Sequence, residues 1–267
     1  MVGAEEAVDD DSLYVLTAVL LTPAQFPSVL GDDYPAACEA LRLEPYAEGY
    51  GLVLGQDSDG ARWTVVVDDV SLVAVAIASW DCGMEYDLSP DEHSVVAALP
   101  GWPLAVAVAA PGVPAPHDPA SEDGDPAPLA PPDSDVWGPA QRRLGADEVA
   151  LRWSQWREQI DDAEAGIAPD APEEEGEQPR AAVRRILDEA RAYLESAPPP
   201  GRVRSSFAPG GARTLRADGP GWSLVARTDD IAFLLLDEEP GEVVPVGRGA
   251  ELPGLLAGLE KIAVHPS

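Results

Sequence analysis

A chain of 267 residues, 45% of them hydrophobic, is long enough for one large or two small domains with a sizeable core. Its net charge of −31, from 17 basic and 48 acidic residues, argues against direct nucleic-acid binding, which needs clustered Lys and Arg. Two cysteines, Cys38 and Cys82, do not make a disulfide framework, and the longest apolar run, around Val70–Ala78, is far short of the ~20 residues of a membrane helix.

The charge is uneven. Residues 1–110 carry a net of −17, residues 111–180 a net of −12, and residues 181–267 only −2. Residues 1–11 form an acidic tail without the basic and apolar regions of a signal peptide, so the expected location is the cytoplasm, with no membrane partner.

Residues 12–110 read as an N-terminal α+β subdomain. Leu13–Leu21 fits a strand, Thr22–Leu30 a short helical turn, and Pro35–Leu43 a helix. Gly51–Leu54 and Trp63–Val67 look like paired strands. The turn between them, Gln56-Asp57-Ser58-Asp59-Gly60, ends in Asp-Gly. Ser71–Trp80 reads as a third strand. Ser89-Pro90-Asp91-Glu92 has the capping pattern of a helix running to Leu99, and Trp102–Ala109 reads as a returning strand.

Residues 111–144 are expected to be a linker. Eight of the 26 residues 111–136 are proline, which leaves too few large apolar side chains to offset ordering entropy. Residues 145–160 read as a tethered amphipathic helix, with Val149, Trp153, Trp156 and Ile160 on one face. Residues 161–178 hold eight acids and no base, and read as a second linker.

Residues 179–267 read as a C-terminal α+β subdomain. A helix over 181–194 precedes strands near 202–207, 213–217, 222–228, 231–237 and 242–246, and a last helix covers 251–263. The fold class expected is α+β: antiparallel sheets with helices packed on one face, in two similar-sized subdomains. Trp222–Leu236 and Trp63–Ala78 both run Trp, β-rich residues, Asp-Asp, then an apolar run. That echo leaves an internal duplication and chance similarity both open, because the Trp-to-Asp spacings differ.

No motif points to a nucleophilic site, a zinc site or a cofactor. Gly247-Arg248-Gly249 has the composition of a weak anion loop, and a plain loop fits it better. The function expected is a non-enzymatic protein-binding module, chaperone-like or inhibitor-like, whose acidic surface steers a basic protein partner. Its candidate contact residues are Trp153, Trp156, Asp68, Asp69, Asp229 and Asp230. The alternative is an enzymatic or small-molecule site near Asp81, Cys82 and His93.

Overall fold

A computed structural model describes residues 13–71, 73–74, 93–121, 124, 126–160 and 177–265. The fold is mixed α+β, with two antiparallel sheets and, among the described residues, five α-helices. The chain divides into two compact units. The first comprises residues 1–21 and 46–132, the second residues 22–45 and 133–267. No helix among the described residues is long and apolar enough to cross a membrane.

The first unit is a four-stranded meander. Strands β1 (Tyr14–Leu21), β2 (Tyr50–Gln56), β3 (Arg62–Val67) and β4 (Val95–Pro100) pair in that order. Central β2 is buried along its whole length. Val53, Val67 and Val73 pack together on one face. Residues 70, 71, 73 and 74 are helical rather than the expected strand. Gly51 makes room for this turn, since a Cβ there would lie 2.1 Å from Val73. The expected helix up to Leu99 is also corrected: residues 95–100 are β4. The β-branched pair Val95-Val96 suits a strand, and pairing with β3 outweighs the capping signal upstream. Residues 102–109 are irregular, and Trp102 is buried with its Nε1 donating to the Gly55 carbonyl at 3.0 Å. The expected strand beyond Ala74, and with it the end of the Trp63 echo, lies outside the described residues.

The described part of the proline-rich segment 111–136 holds no helix and nothing longer than an isolated bridge. Its backbone is nevertheless bonded along the first unit's sheet. His117 N–H donates to the Gly60 carbonyl, and Arg62 N–H donates to the His117 carbonyl. Leu129 N–H reaches the Pro100 carbonyl at 2.7 Å. Buried Gln56 clamps the start of the strap: its Nε2 donates to Gly60 and Pro114 carbonyls, and its Oε1 accepts from Ala110 N–H.

The second unit is organised by a five-stranded meander, β5 (Val203–Phe207), β6 (Arg213–Gly219), β7 (Trp222–Arg227), β8 (Ala232–Leu236) and β9 (Val244–Val246). Period-two alternation divides its two faces. Leu215, Ala217, Trp222, Leu224, Ala226, Leu234 and Leu236 face one side. The long helix α4 (Glu177–Glu195) covers them with Val183, Ile186, Leu187 and Ala190, and α5 (Leu252–Ile262) with Leu252, Leu255, Leu256 and Leu259. Trp222 is fully buried, stacks on Tyr193 and donates from Nε1 to Glu189 at 2.6 Å. Gly219 leaves space for its ring, because a Cβ there would come within 2.3 Å of it.

The opposite face has helices too. Helices α2 (Pro139–Leu151) and α3 (Trp153–Glu158) lay Ala146, Val149 and Trp153 on Val225, Phe233 and Leu235. This is the amphipathic stretch expected to be tethered. It breaks at Arg152 and docks on its own sheet. The remaining helix, α1 (Tyr34–Ala40), is capped by Asp33, which accepts from Ala36 N–H at 2.8 Å. Tyr34 N–H donates to the Pro200 carbonyl, tying α1 to the approach to β5. Residues 22–30 before it form bends and turns, not the expected helical turn.

Two measurable consequences follow. Phe233 is buried and meets Trp153 edge-on at 5.1 Å. Phe233→Ala should lower the free energy of unfolding by about 3–5 kcal/mol in urea titrations, and a change under about 1 kcal/mol would mean α2 and α3 do not pack there in solution. The second concerns the strap. His117 Nδ1 lies 2.9 Å from the Asp118 carbonyl and Nε2 lies 3.0 Å from the Asp59 carbonyl. Carbonyls only accept, so the doubly protonated ring satisfies both contacts. These hydrogen bonds raise the His117 pKa above its ordinary value of 6.5, with the nearby carboxylates of Asp57 and Asp59 helping. A raised folded pKa places the strap's stabilisation below pH 6.5 and removes it as pH rises through the folded value. A broad-specificity protease should therefore cut residues 111–121 faster, relative to His117→Gln, as pH rises. A ring-proton titration at or below 6.5 overturns this.

Candidate functional site

The second sheet's outer face is apolar only over β7 and β8. Alternation places Arg204 and Ser206 of β5, Thr214, Arg216 and Asp218 of β6, and Ser223 of β7 on the rest of it. Three of these six are deeply buried: Asp218 and Ser223 at 0% exposure and Arg216 at 7%. Burying charge on this scale requires pairing.

Asp218 is the centre of that pairing. Its carboxylate accepts from Ser223 Oγ at 2.6 Å, from Arg204 Nη2 at 2.9 Å and from Arg216 Nη2 at 3.5 Å. Arg142 of α2, fully buried, donates from Nη1 to Ser223 Oγ at 2.5 Å, from Nε to Asp237 at 2.7 Å and from Nη2 to Asp32 at 3.0 Å. Arg143 donates to Asp32 and to the Ser28 carbonyl, and Arg216 also pairs with Asp147 of α2. Burial alone would raise the Asp218 pKa, but the Arg216 and Arg204 guanidinium groups outweigh it and hold the carboxyl below its ordinary range. Burial pushes Arg204 down, opposed by Asp218.

A cleft of about 200 Å³ opens over this polar half, lined by Ala24, Phe26, Asp147, Ala150, Arg204, Ser206, Thr214 and Arg216 among others. The Arg204 guanidinium lies over the Phe26 ring, 4.5 Å from its centroid. A wider groove of about 880 Å³ shares several of these walls and continues past Leu151, Trp153, Phe207 and Arg227. Phe207, at 89% exposure, and Leu151, at 80%, stand on it uncovered.

The residues expected to bind a partner are distributed as follows. Trp153, Trp156 and Asp230 come together: Trp153 is largely buried on Phe233, Trp156 packs beside it, and Asp230 accepts from Trp153 Nε1 at 3.2 Å and from Arg157 Nε at 3.1 Å. Asp229 is exposed and pairs with Arg227, whose hydrogen bond holds its carboxyl below the ordinary range. Asp68 and Asp69 are exposed in the first unit, leading from β3 into the helical turn. Arg248 caps the β7–β8 hairpin, donating to the Asp230 and Thr228 carbonyls. Cys38 is buried in α1, with its thiol pushed up by burial. His93 lies in the turn before β4, while Asp81 and Cys82 fall outside the described residues. No group of three or more potential metal ligands occurs among the described residues.

Sequence reading missed Arg204, Arg216, Asp218, Arg142 and Arg143. A signal existed for three of them. In the predicted strands 202–207 and 213–217, Arg204 and Arg216 alternate with Val203, Leu215 and Ala217, and Asp218 continues the phase, so all three share the face opposite the apolar one.

Asp218→Asn keeps the shape and removes the charge, leaving Arg204 buried without its counter-ion and Arg216 with Asp147 alone. It should destabilise the protein by about 3–5 kcal/mol at neutral pH. A lowered folded pKa gives stabilisation that is present above the ordinary carboxyl value of 3.8 and lost as pH falls through the folded one. The gap between wild type and variant should therefore narrow in strong acid. A gap that is absent at neutral pH, or constant with pH, contradicts the assignment.

No protein-family model, no curated protein and no solved structure matches this chain.

Proposed function

We propose that this protein is a cytoplasmic, non-enzymatic protein-binding module whose second unit seats a partner in the groove between α2–α3 and the β5–β6 hairpin. The observation that carries this reading is the pairing of Phe207, 89% exposed, with Leu151, 80% exposed, along one groove of about 880 Å³. Large apolar side chains concentrated on one concave surface mark an interaction site more strongly than scattered ones do. Trp153 lines the same groove while its ring packs largely buried against Phe233.

Acidic charge supplies the encounter. The net of −17 over residues 1–110 steers a basic partner towards the protein from a distance. The groove then supplies residence time, because dissociation follows desolvated apolar contact rather than screened charge. Asp68 and Asp69, exposed in the first unit, belong to the steering field on this reading.

Full-length protein immobilised as bait tests it. Leu151→Ser with Phe207→Ser should leave the thermal midpoint almost unchanged, because both side chains are already solvated. Retention of a captured partner should drop by roughly tenfold or more. Raising salt should slow capture by wild type and double variant alike. Equal retention by the two proteins removes the groove from the function.

A further inference from the structure

We infer that the small cleft over Arg204 and Arg216 is a binding site for a carboxylate carried on a small apolar body. The first observation is a surplus of donors. A guanidinium offers five N–H groups. Arg216 spends two nitrogens on Asp147 and Asp218, and Arg204 spends one on Asp218 and Ser28. The Nε–H groups of both have no partner within the protein, as is also true of Arg62 and Arg202, and they are shielded from solvent, so the donors a ligand can reach are on the Nη nitrogens. Asp218 already accepts from Ser223 and both arginines, three of the roughly four hydrogen bonds a carboxylate can take.

The placement is itself unusual. The neighbouring half of the same sheet face is closed by apolar contact, and apolar residues generally stabilise such a position as well as a buried ion network does, or better. A network kept beside an open cleft has a use that packing does not explain.

Size, lining and charge narrow the ligand. About 200 Å³ is below the range of sites that enclose drug-sized or dinucleotide ligands. Ala24, Phe26 and Ala150 form an apolar wall, facing the arginines and the hydroxyls of Ser206 and Thr214. Asp147 and Asp218 already balance the two guanidinium charges. A dianion would carry two uncompensated charges into a partly desolvated site, a monoanion only one. A planar carboxylate also matches the guanidinium fork in two-point geometry.

That carboxylate has two sources: a free monocarboxylic acid, or the terminal carboxylate of a chain lying in the adjoining groove. The second source rests on the proposed seat for a protein partner. The cleft itself does not.

Calorimetric titration of the full-length protein with butyrate, benzoate, benzamide and inorganic phosphate tests the site. Butyrate and benzoate should bind saturably, with benzamide and phosphate weaker by roughly tenfold or more. Ser206→Leu and Ala150→Leu fill the cleft without touching the ion network. They should keep the thermal midpoint and weaken benzoate by a similar factor. No saturable binding of either acid, phosphate bound as well as benzoate, or benzoate binding unchanged in both filled variants overturns the inference. A mixed octapeptide pool with free C-termini, against the same pool amidated, identifies the source. Preferential retention of the free-ended pool, displaced by benzoate, assigns the site to a chain terminus. Equal retention with benzoate still bound assigns it to a free acid and leaves the cleft standing even where the groove reading fails.

Discussion

One buried carboxylate fixes the arrangement of the second unit's outer face. Asp218 has no solvent contact and lies among Arg204, Arg216 and Ser223. Through Ser223 it reaches Arg142, and through Arg142 it reaches Asp32 and Asp237. Helix α2, the segment 28–33 and strands β5 to β8 are thereby held by charged hydrogen bonds with defined directions. Apolar packing alone tolerates sliding; a set of buried ions does not, because each misplaced group is left desolvated without a partner. The network's contribution is therefore better described as a fixed geometry than as a sum of bond energies.

That geometry explains why a cleft exists. The inner face is covered along its length by α4 and α5, and it carries the larger apolar cluster. On the outer face α2 and α3 settle over β7 and β8, where Val225, Phe233 and Leu235 offer an apolar surface. Gly145 allows close approach, since a Cβ there would sit 2.8 Å from a Leu235 methyl. The helices stop short of β5 and β6, whose outward side chains are charged or hydroxylated. The cleft and the groove beside it are what this partial cover leaves. Apart from Ala24 and Phe26, which lie in the segment of bends and turns before α1, the named walls of the cleft stand on strands and helices, so most of it is held in place before any ligand arrives.

The C-terminal elements were legible because each is a local pattern. The helix expected over 181–194 is α4, the five strands fall within a few residues of their expected places, and the last helix is α5. Residues 93–100 were not legible: capping chemistry upstream pointed to a helix, while pairing of Val95–Pro100 with β3 is a long-range fact. The helix over 145–160 was expected to be tethered because the stretches on either side of it read as linkers. The charge network was almost invisible. Its members lie as far apart as Ser28 and Arg204, and nothing in the chain links Asp32 to Arg142 until the sheet brings them together. Only the alternation within β5 and β6 marked a polar strip on an otherwise apolar sheet.

The distribution of arginine separates two kinds of electrostatics in one chain. Arg62 is the only basic residue in the first unit, so almost all of that unit's acidic charge is uncompensated within it. Such a field acts over about 8–10 Å at ordinary ionic strength and weakens as salt rises. In the second unit four arginines are spent at short range: Arg142, Arg143, Arg204 and Arg216 are shielded from solvent and paired with named carboxylates. Four of the chain's 17 basic residues thus sit where they add little to a long-range field. If solubility alone governed the charge, arginines spread over both units would reduce self-repulsion at no structural cost.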